Sequence, residues 1–299
     1  MHYRTDLTSA KMSPASKRSG SGGCNSSQQA GEKSTASVET PLNDFRKRKQ
    51  SNGNLVIAYL YDGSFEGLLC CVHESYYLKE LPFMIFDYEQ PQETLFPVKE
   101  IKTDHAKAEK VENSIAESIS KEALRLVHTC YFSCMENREV TILNFLRMGY
   151  KIGPKVTSML SHDTVRAITK AAQNVLSESH FYREFLRFSE YNGALVAIIE
   201  PKNFVLPITS PHFCDRLPDE KFLIYDKNHK YAFVYENYRR MLIPLEHIEL
   251  PEAGEEEEKY RVLWKQFYNT IAIESRINPK RRMGNMPKRY WSQLTEFME

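Results

Sequence analysis

The stretch from Asp163 to Phe188 constrains the fold of this chain more than any other segment. Its apolar residues recur at intervals of three and four, which is typical of an amphipathic helix with one inward face. That face is defined by Val165, Ile168, Ala172, Val175 and Leu176. The spacing therefore predicts a long helix here, with its first four turns packed against the body of the protein.

The same helix changes character towards its end. Continued at about 100° per residue, the inward face reaches His180, Arg183 and Arg187. The opposite side then carries Phe181, Phe185 and Phe188. Either the helix breaks near residues 177–179, or these three basic side chains face the protein body. Because a buried cation needs a partner, the second arrangement requires an anion or a polar cleft.

The composition limits the classes of protein that remain. The chain has 299 residues, 41% of them hydrophobic, and a formal net charge of only +1. Residues 1–54 carry nine Lys and Arg against four Asp and Glu, so the remainder carries 31 against 35. A uniformly basic nucleic-acid-binding protein is excluded, whereas a local basic patch is not.

The pattern along the chain predicts a tail followed by one folded domain. Residues 1–53 are basic, rich in Ser and poor in apolar residues, and we predict that they are disordered. Residues 54–299 are predicted to form a single α+β domain, in which a mixed sheet surrounds a helical middle block. Strand patterns lie on either side of the helical residues 104–188, and residues 222–226 and 231–235 are expected to pair as a hairpin.

Cysteine usage and hydropathy indicate a location inside the cell. The six cysteines show no framework spacing, which suits free thiols in a reducing compartment. No apolar run approaches the roughly 18 residues of a membrane span, so we expect no membrane partner. We predict a cytoplasmic protein, although the Ser-rich basic tail is also compatible with organelle targeting.

The C-terminal segment, residues 276–291, combines cations with aromatic rings. It contains six Lys and Arg and no acidic residue. Cations bind phosphates and aromatic rings stack on unpaired bases, which makes the segment a candidate nucleic-acid site. The candidate residues are Lys280, Arg281, Arg282, Lys288, Arg289, Tyr290 and Trp291. The alternative is a terminal helix whose two aromatic rings pack inward while its cations are solvated.

Histidines supply the candidates for catalysis. His180 and His212 could act as acid–base groups near neutral pH, and Arg183 with Arg187 could grip a phosphate or carboxylate. The alternative is a structural network in which acids such as Glu184 or Asp226 neutralise the arginines. A metal site at His180, His212 and Asp226 matches no ligand spacing, so we predict no metal.

Known cofactor motifs are not found in the sequence. Cys130, Cys134 and Asn137 miss the three-cysteine loop of radical S-adenosylmethionine enzymes by one thiolate. The glycines of residues 149–153 are expected to form an ordinary helix–helix turn. There is no P-loop, G-x-G-x-x-G, H-E-x-x-H or nucleophile elbow. No cofactor is therefore predicted.

Taken in order, five motifs resemble those of one bacterial family, the domain of unknown function 4130. The resemblance runs from about Leu55 to Glu296. It is carried by residues 61–67 (YDGSFEG), 179–188 (SHFYREFLRF), 211–216 (PHFCDR), 277–280 (INPK) and 286–291 (MPKRYW). The resemblance implies a probable role in DNA metabolism or DNA repair. It also implies a radical S-adenosylmethionine partner protein and, in some members, a uracil-DNA-glycosylase-like domain, while it supplies no catalytic residues.

Three functional hypotheses follow. The leading one is a DNA-binding accessory or repair protein, in which Arg183, Arg187 and the C-terminal cations contact phosphate. The second is a histidine-based enzyme acting on nucleic acid or a nucleotide. The third is a non-catalytic scaffold for a radical S-adenosylmethionine partner, with Phe181, Phe185 and Phe188 as its exposed docking face.

Overall fold

The structure is a computed structural model that describes residues 57–88, 94–250 and 254–297. The chain divides after Val56, and everything described below lies in the unit Ile57–Glu299. The predicted disordered tail, residues 1–53, lies outside the described residues. The described helices and strands confirm the α+β class.

The described residues contain eight α-helices and eight strands. The helices are α1 (Phe65–Tyr77), α2 (His105–Ser118), α3 (Lys121–Tyr131), α4 (Arg138–Ile152), α5 (Asp163–Phe185), α6 (Leu206–Arg216), α7 (Glu255–Ile271) and α8 (Pro279–Asn285). The strands are β1 (Ala58–Tyr61), β2 (Met84–Asp87), β3 (Val98–Glu100), β4 (Ser189–Tyr191), β5 (Ala194–Ile199), β6 (Phe222–Asp226), β7 (Tyr231–Glu236) and β8 (Arg239–Pro244). Short 3₁₀ helices occupy Pro154–Ser158, Glu274–Arg276, Lys288–Gln293 and Thr295–Phe297.

The strands form two sheets rather than the single mixed sheet that was predicted. β2, β1 and β3 form a parallel sheet in that order, with α1 connecting β1 to β2. The second sheet has the order β4-β5-β6-β7-β8 and is mixed, because only β5 and β6 run parallel. The predicted hairpin is confirmed, with Phe222 opposite Tyr235 and Asp226 opposite Tyr231. Each sheet pairs strands from its own side of the helical block.

Two clusters of buried side chains form the core. The first core region joins β1, β2 and α1 to α2, α3, α4 and the beginning of α5. The second core region joins the end of α5 to α6, β5, β6 and β7. Helix α5 belongs to both, because Val165 and Ile168 lie in the first region and Val175 and Tyr182 in the second. The long predicted helix therefore connects the two parts of the core.

Helix α5 is unbroken through Phe185, and its inward face differs from the predicted one. After Val175 the buried side continues through Ser179, Tyr182 and Leu186, whereas Leu176 is exposed. The predicted inward face was wrong because it included Leu176 and was continued from there to residue 180. Leu176 lies at the edge of the apolar face. His180 is therefore exposed, while Arg183 and Arg187 are half-buried at the border of the buried side.

The three phenylalanines near the end of α5 do not form the expected exposed docking face. Phe181 and Phe185 are half-buried and pack against the ring of Tyr290, at centroid distances of 5.4 and 6.1 Å. Phe188 packs edge-on against Phe213, at 5.4 Å. These contacts place all three rings against the second core region, which removes the surface proposed for a scaffold.

Helix α6 was not predicted, and it positions part of the site. It contains Pro211 in its interior, and a proline within a sequence pattern usually indicates a helix end. Thr209, Phe213 and Cys214 are buried on its inner side, so packing against the second core region stabilises the helix. None of the described helices is long and apolar enough to cross a membrane.

Candidate anion-binding cleft

A cleft of about 730 Å³ lies between the end of α5 and helix α6. It brings together four of the residues that the sequence singled out, His180, Arg183, Arg187 and His212. Its remaining lining residues are Glu184, Leu186, Phe188, Leu195, Phe213, Arg216 and Leu217. The cleft thus collects two arginines and two histidines from two helices that are separate in the sequence, and a third arginine, Arg187, from just beyond the end of α5.

Helix α6 contributes His212 and Arg216, which are four residues apart and therefore share one face of the helix. His212 is half-buried and Arg216 is exposed, while Phe213 and Cys214 between them are buried. Burial raises the pKa of the Cys214 thiol, which keeps it protonated near neutral pH. Cys214 is buried in the second core region and serves as a packing residue there.

Helix α5 and the residues directly after it contribute one weakly engaged arginine, Arg183, and one strongly engaged arginine, Arg187. Arg187 donates to the carboxylate of Glu296 at 3.3 Å and lies over the ring of Trp264. Arg183 is half-buried, and its Nε donates only to the carbonyl oxygen of Ser179, at 3.4 Å. Arg187 is thus held in place at the edge of the cleft, whereas the charge of Arg183 has no anionic partner among the described residues.

The carboxylates expected to neutralise these arginines are engaged elsewhere. Glu184, the one acid lining the cleft, pairs with His180 at 3.0 Å. Asp226 is fully buried and accepts from His229 Nδ1 at 2.7 Å and from two backbone N–H groups of the β6–β7 turn. Within the described part of the chain, neither acid forms an ion pair with Arg183 or Arg216. The cleft therefore carries a net positive charge.

The structure does not assemble the metal site that was considered. Asp226 is held by His229 in the β6–β7 turn, away from the residues that line the cleft. Across residues 57–88, 94–250 and 254–297, no group of three His, Cys, Asp or Glu could hold a metal ion. Cys130 is buried inside α3 and Cys134 is exposed, so these two thiols do not form a shared ligand set.

The aromatic residues of the C-terminal segment are engaged inside the protein. Tyr290 is 1% exposed and contacts the ring of Tyr182 edge-on at 5.1 Å, so it cannot stack on a base as predicted. Burial also raises the pKa of Tyr290, which keeps its hydroxyl protonated. The ring of Trp291 stacks on Phe297 at 4.6 Å, and its Nε1 donates to the carbonyl oxygen of Met286. The alternative of inward packing describes both residues better.

The cations of that segment fall into two groups. Arg289 pairs with Glu178 at 3.1 Å, while Arg282 and Lys288 lie over the ring of Trp291. The second group is Arg276 together with Lys280 and Arg281 on α8, which are exposed and form no ion pair with any described residue. Only the second group is therefore free to contact phosphate without giving up an internal contact.

Sequence reasoning missed Glu178, which links the C-terminal segment to helix α5. Its carboxylate is 2% exposed and accepts from the backbone N–H groups of Lys202 and Asn203, at 3.0 and 2.8 Å. It also accepts from Asn203 Nδ2 at 2.6 Å and pairs with Arg289. The sequence held one signal for Glu178, its position next to Ser179 on the inward side of α5. A charged residue on an inward face requires partners.

The fold and the site define an α+β protein with a cationic cleft between the end of α5 and helix α6. A family model, the domain of unknown function DUF4130, matches residues 136–296, which is more than half of the chain. The chain belongs to this family. The matched residues include α5, α6 and every residue that lines the cleft. No curated protein and no solved structure matches the chain.

Proposed function

We propose that this protein binds DNA through the cationic cleft and serves as an accessory protein in DNA metabolism or repair. The observation that carries the proposal is the convergence of Arg183, His212 and Arg216, without carboxylate partners among the described residues. Guanidinium groups bind phosphate oxygens through paired, charge-assisted hydrogen bonds. A cleft with this lining suits a strongly anionic backbone.

The cleft also explains how a chain of nearly neutral net charge can bind a polyanion. Binding depends on local positive potential at the contact surface and not on the average charge of the protein. Arg187 is held by Glu296 and Trp264 at the edge of the cleft, so its position is fixed before any ligand arrives. Lys280 and Arg281, exposed on α8, are candidates for additional phosphate contacts.

The resemblance to a family described as acting in DNA metabolism supports DNA as the polyanion. On the same ground we propose a radical S-adenosylmethionine protein as a partner and a uracil-DNA-glycosylase-like protein as a further one. Copurification of the full chain with each protein, at high and low salt, tests these two proposals separately from DNA binding.

Fluorescence anisotropy of labelled single- and double-stranded DNA, titrated with the full chain over a salt series, tests the binding proposal. The logarithm of the affinity should fall linearly with the logarithm of the salt concentration. Arg183→Ala combined with Arg216→Ala should lower the affinity by about tenfold or more, because two charge-assisted contacts are lost.

A matched control is Lys121→Ala combined with Arg125→Ala. These two cations are exposed on α3 and line no part of the cleft. The control removes the same net charge, so it reports the general electrostatic effect alone. Equal losses in the two double variants, or no binding of either DNA at low salt, would overturn the proposal.

A second candidate function is a histidine-based enzyme acting on nucleic acid or a nucleotide. One observation favours it, since His180 and His212 line the same cleft and His180 is paired with Glu184 at 3.0 Å. A carboxylate beside an imidazole orients it for proton transfer. If the protein turns over a nucleic-acid substrate, His180→Ala should change its pH–rate profile. DNA binding without turnover, unaffected by His180→Ala, would leave the accessory function alone.

A further inference from the structure

Helix α7 exposes an apolar face. Its exposed large residues recur at intervals of three and four: Tyr260, Leu263, Trp264, Phe267 and Ile271. Their exposed fractions lie between 41% and 69%. An apolar face with this spacing normally packs against the core. Soluble proteins rarely leave a continuous apolar stripe uncovered unless another molecule covers it.

We propose that two copies of this chain pair antiparallel through their α7 helices. The spacing of the face matches a two-helix seam, in which apolar residues alternate at three and four along the helix. In an antiparallel pair centred between Lys265 and Gln266, Tyr260 lies opposite Ile271 and Trp264 opposite Phe267. The face is therefore complementary to itself in size and register, as a twofold interface requires.

Charge complementarity fixes the direction of the pair. The first turn of α7 carries Glu256 beside the apolar face, and Glu256 is exposed and forms no ion pair with any described residue. The residues after the helix carry Arg276, Lys280 and Arg281, which are exposed and equally unpaired in the described structure. Antiparallel pairing brings the acidic beginning of one helix towards the basic stretch of the other. Parallel pairing would oppose like charges at both ends, which is unfavourable.

The area of the face is sufficient for a weak dimer. Aromatic side chains expose about 150–250 Å² each when free, so the five exposed residues leave roughly 500 Å² uncovered in each copy. Two copies would bury on the order of 1,000 Å², which is near the lower limit for a specific interface. We therefore expect a dimer that forms at micromolar concentrations and dissociates on dilution.

Sedimentation velocity of the full chain, from low to high micromolar concentration, tests the pairing. The mass should rise from that of one chain, 34.9 kDa, towards twice that value. Leu263→Asp combined with Phe267→Asp should keep the chain monomeric throughout, because two charges would enter the apolar seam. Val262→Asp is the matched control, since Val262 is 64% exposed on the opposite side of the same helix, and it should leave the dimer unchanged.

Charge reversal provides a test that does not depend on the folding of the apolar variants. Glu256→Lys should weaken the dimer, as should Arg276→Glu, and the two changes together should restore it. A monomer at all concentrations, or a dimer that survives both aspartates, would overturn the proposal. Failure of the combined reversal to restore the dimer would overturn the antiparallel arrangement. Loss of the dimer in Val262→Asp would show that the face is not specific.

Discussion

Two half-buried arginines, Arg147 beside the first core region and Arg183 beside the second, differ in the contacts that they make. In the first region, Arg147 donates to the carbonyl oxygens of Ser75 and Glu80, at 3.0 and 2.8 Å, and lies over the ring of Tyr76. In the second region, Arg183 has only its 3.4 Å contact with the carbonyl oxygen of Ser179. The guanidinium group of Arg147 thus links separate segments of the chain. That of Arg183 keeps most of its hydrogen-bond donors free for a ligand.

Arg138 shows the same contrast. In the first region its Nε donates to Glu139 at 2.7 Å and its Nη1 to the carbonyl oxygen of Ser133 at 3.0 Å. Arg216, in the second region, forms no hydrogen bond or ion pair with any described residue. Arg147 and Arg138 are thus engaged within the first region, whereas Arg183 and Arg216 keep hydrogen-bond donors free for a ligand. This contrast supports the proposal that the cleft beside the second region is the binding site.

The largest expected effect concerns the buried carboxylate of the second region. Glu178→Ala would leave the two N–H donors of Asn203 without their acceptor, at a cost of about 1–3 kcal/mol for each buried donor, and it would also remove the partner of half-exposed Arg289. Glu184→Ala, on the same helix but exposed, should change the free energy of unfolding by less than about 0.5 kcal/mol. Urea unfolding measures both variants. Equal effects would show that the C-terminal segment is not fixed through Glu178.

Substitutions of two glycines, one in α1 and one in α8, test how tightly each of these helices is packed. A Cβ at Gly67, in α1, would lie 2.2 Å from Asp62 Oδ1 and 2.9 Å from Thr103 Oγ1, so Gly67→Ala should destabilise the protein by about 2 kcal/mol. A Cβ at Gly284, in α8, would meet nothing within 4 Å, and Gly284→Ala should be neutral or stabilise the protein by up to about 1 kcal/mol. Thermal unfolding of the two variants distinguishes them. A destabilising Gly284→Ala would mean that α8 is covered in solution.

A smaller effect sharpens the role of Tyr290. Tyr290→Phe removes only the hydroxyl that accepts from Arg289, so the free energy of unfolding should fall by less than about 1.5 kcal/mol. Because the ring is buried against Tyr182, DNA affinity should not change. Anisotropy and urea unfolding are measured on the same preparation. A large loss of affinity in a stably folded variant would return Tyr290 to the DNA interface.

Local signals predicted much of the fold. Asp and Ser are residue types that favour helix starts, and the side chains of Asp104 and Ser120 accept from backbone N–H groups of the first turns of α2 and α3. The β6–β7 hairpin was readable from its strand pattern and short turn. Helix α6 was not predicted, because Pro211 interrupts the sequence pattern and only packing against the second core region makes the helix stable.

The site was only partly predictable. The sequence named His180, Arg183, Arg187 and His212, but their meeting in one cleft depends on the packing of α5 against α6, which no local pattern encodes. Arg216 was overlooked because the sequence pattern did not predict a helix here. Only in a helix do His212 and Arg216, four residues apart, share one face. The inward position of Glu178 was not predicted, because the apolar pattern placed Leu176 on the buried side. In the structure Leu176 is exposed and Glu178 is buried.

The most direct test compares the salt dependence of DNA binding in two double variants of the full chain. Arg183→Ala with Arg216→Ala should reduce the salt slope by about 1.5, because each lost phosphate contact contributes about 0.7–0.9. Lys280→Ala with Arg281→Ala should reduce it by less, since these residues lie outside the cleft. A full slope in the cleft variant, with the loss confined to the α8 variant, would contradict the assignment of the cleft as the DNA site.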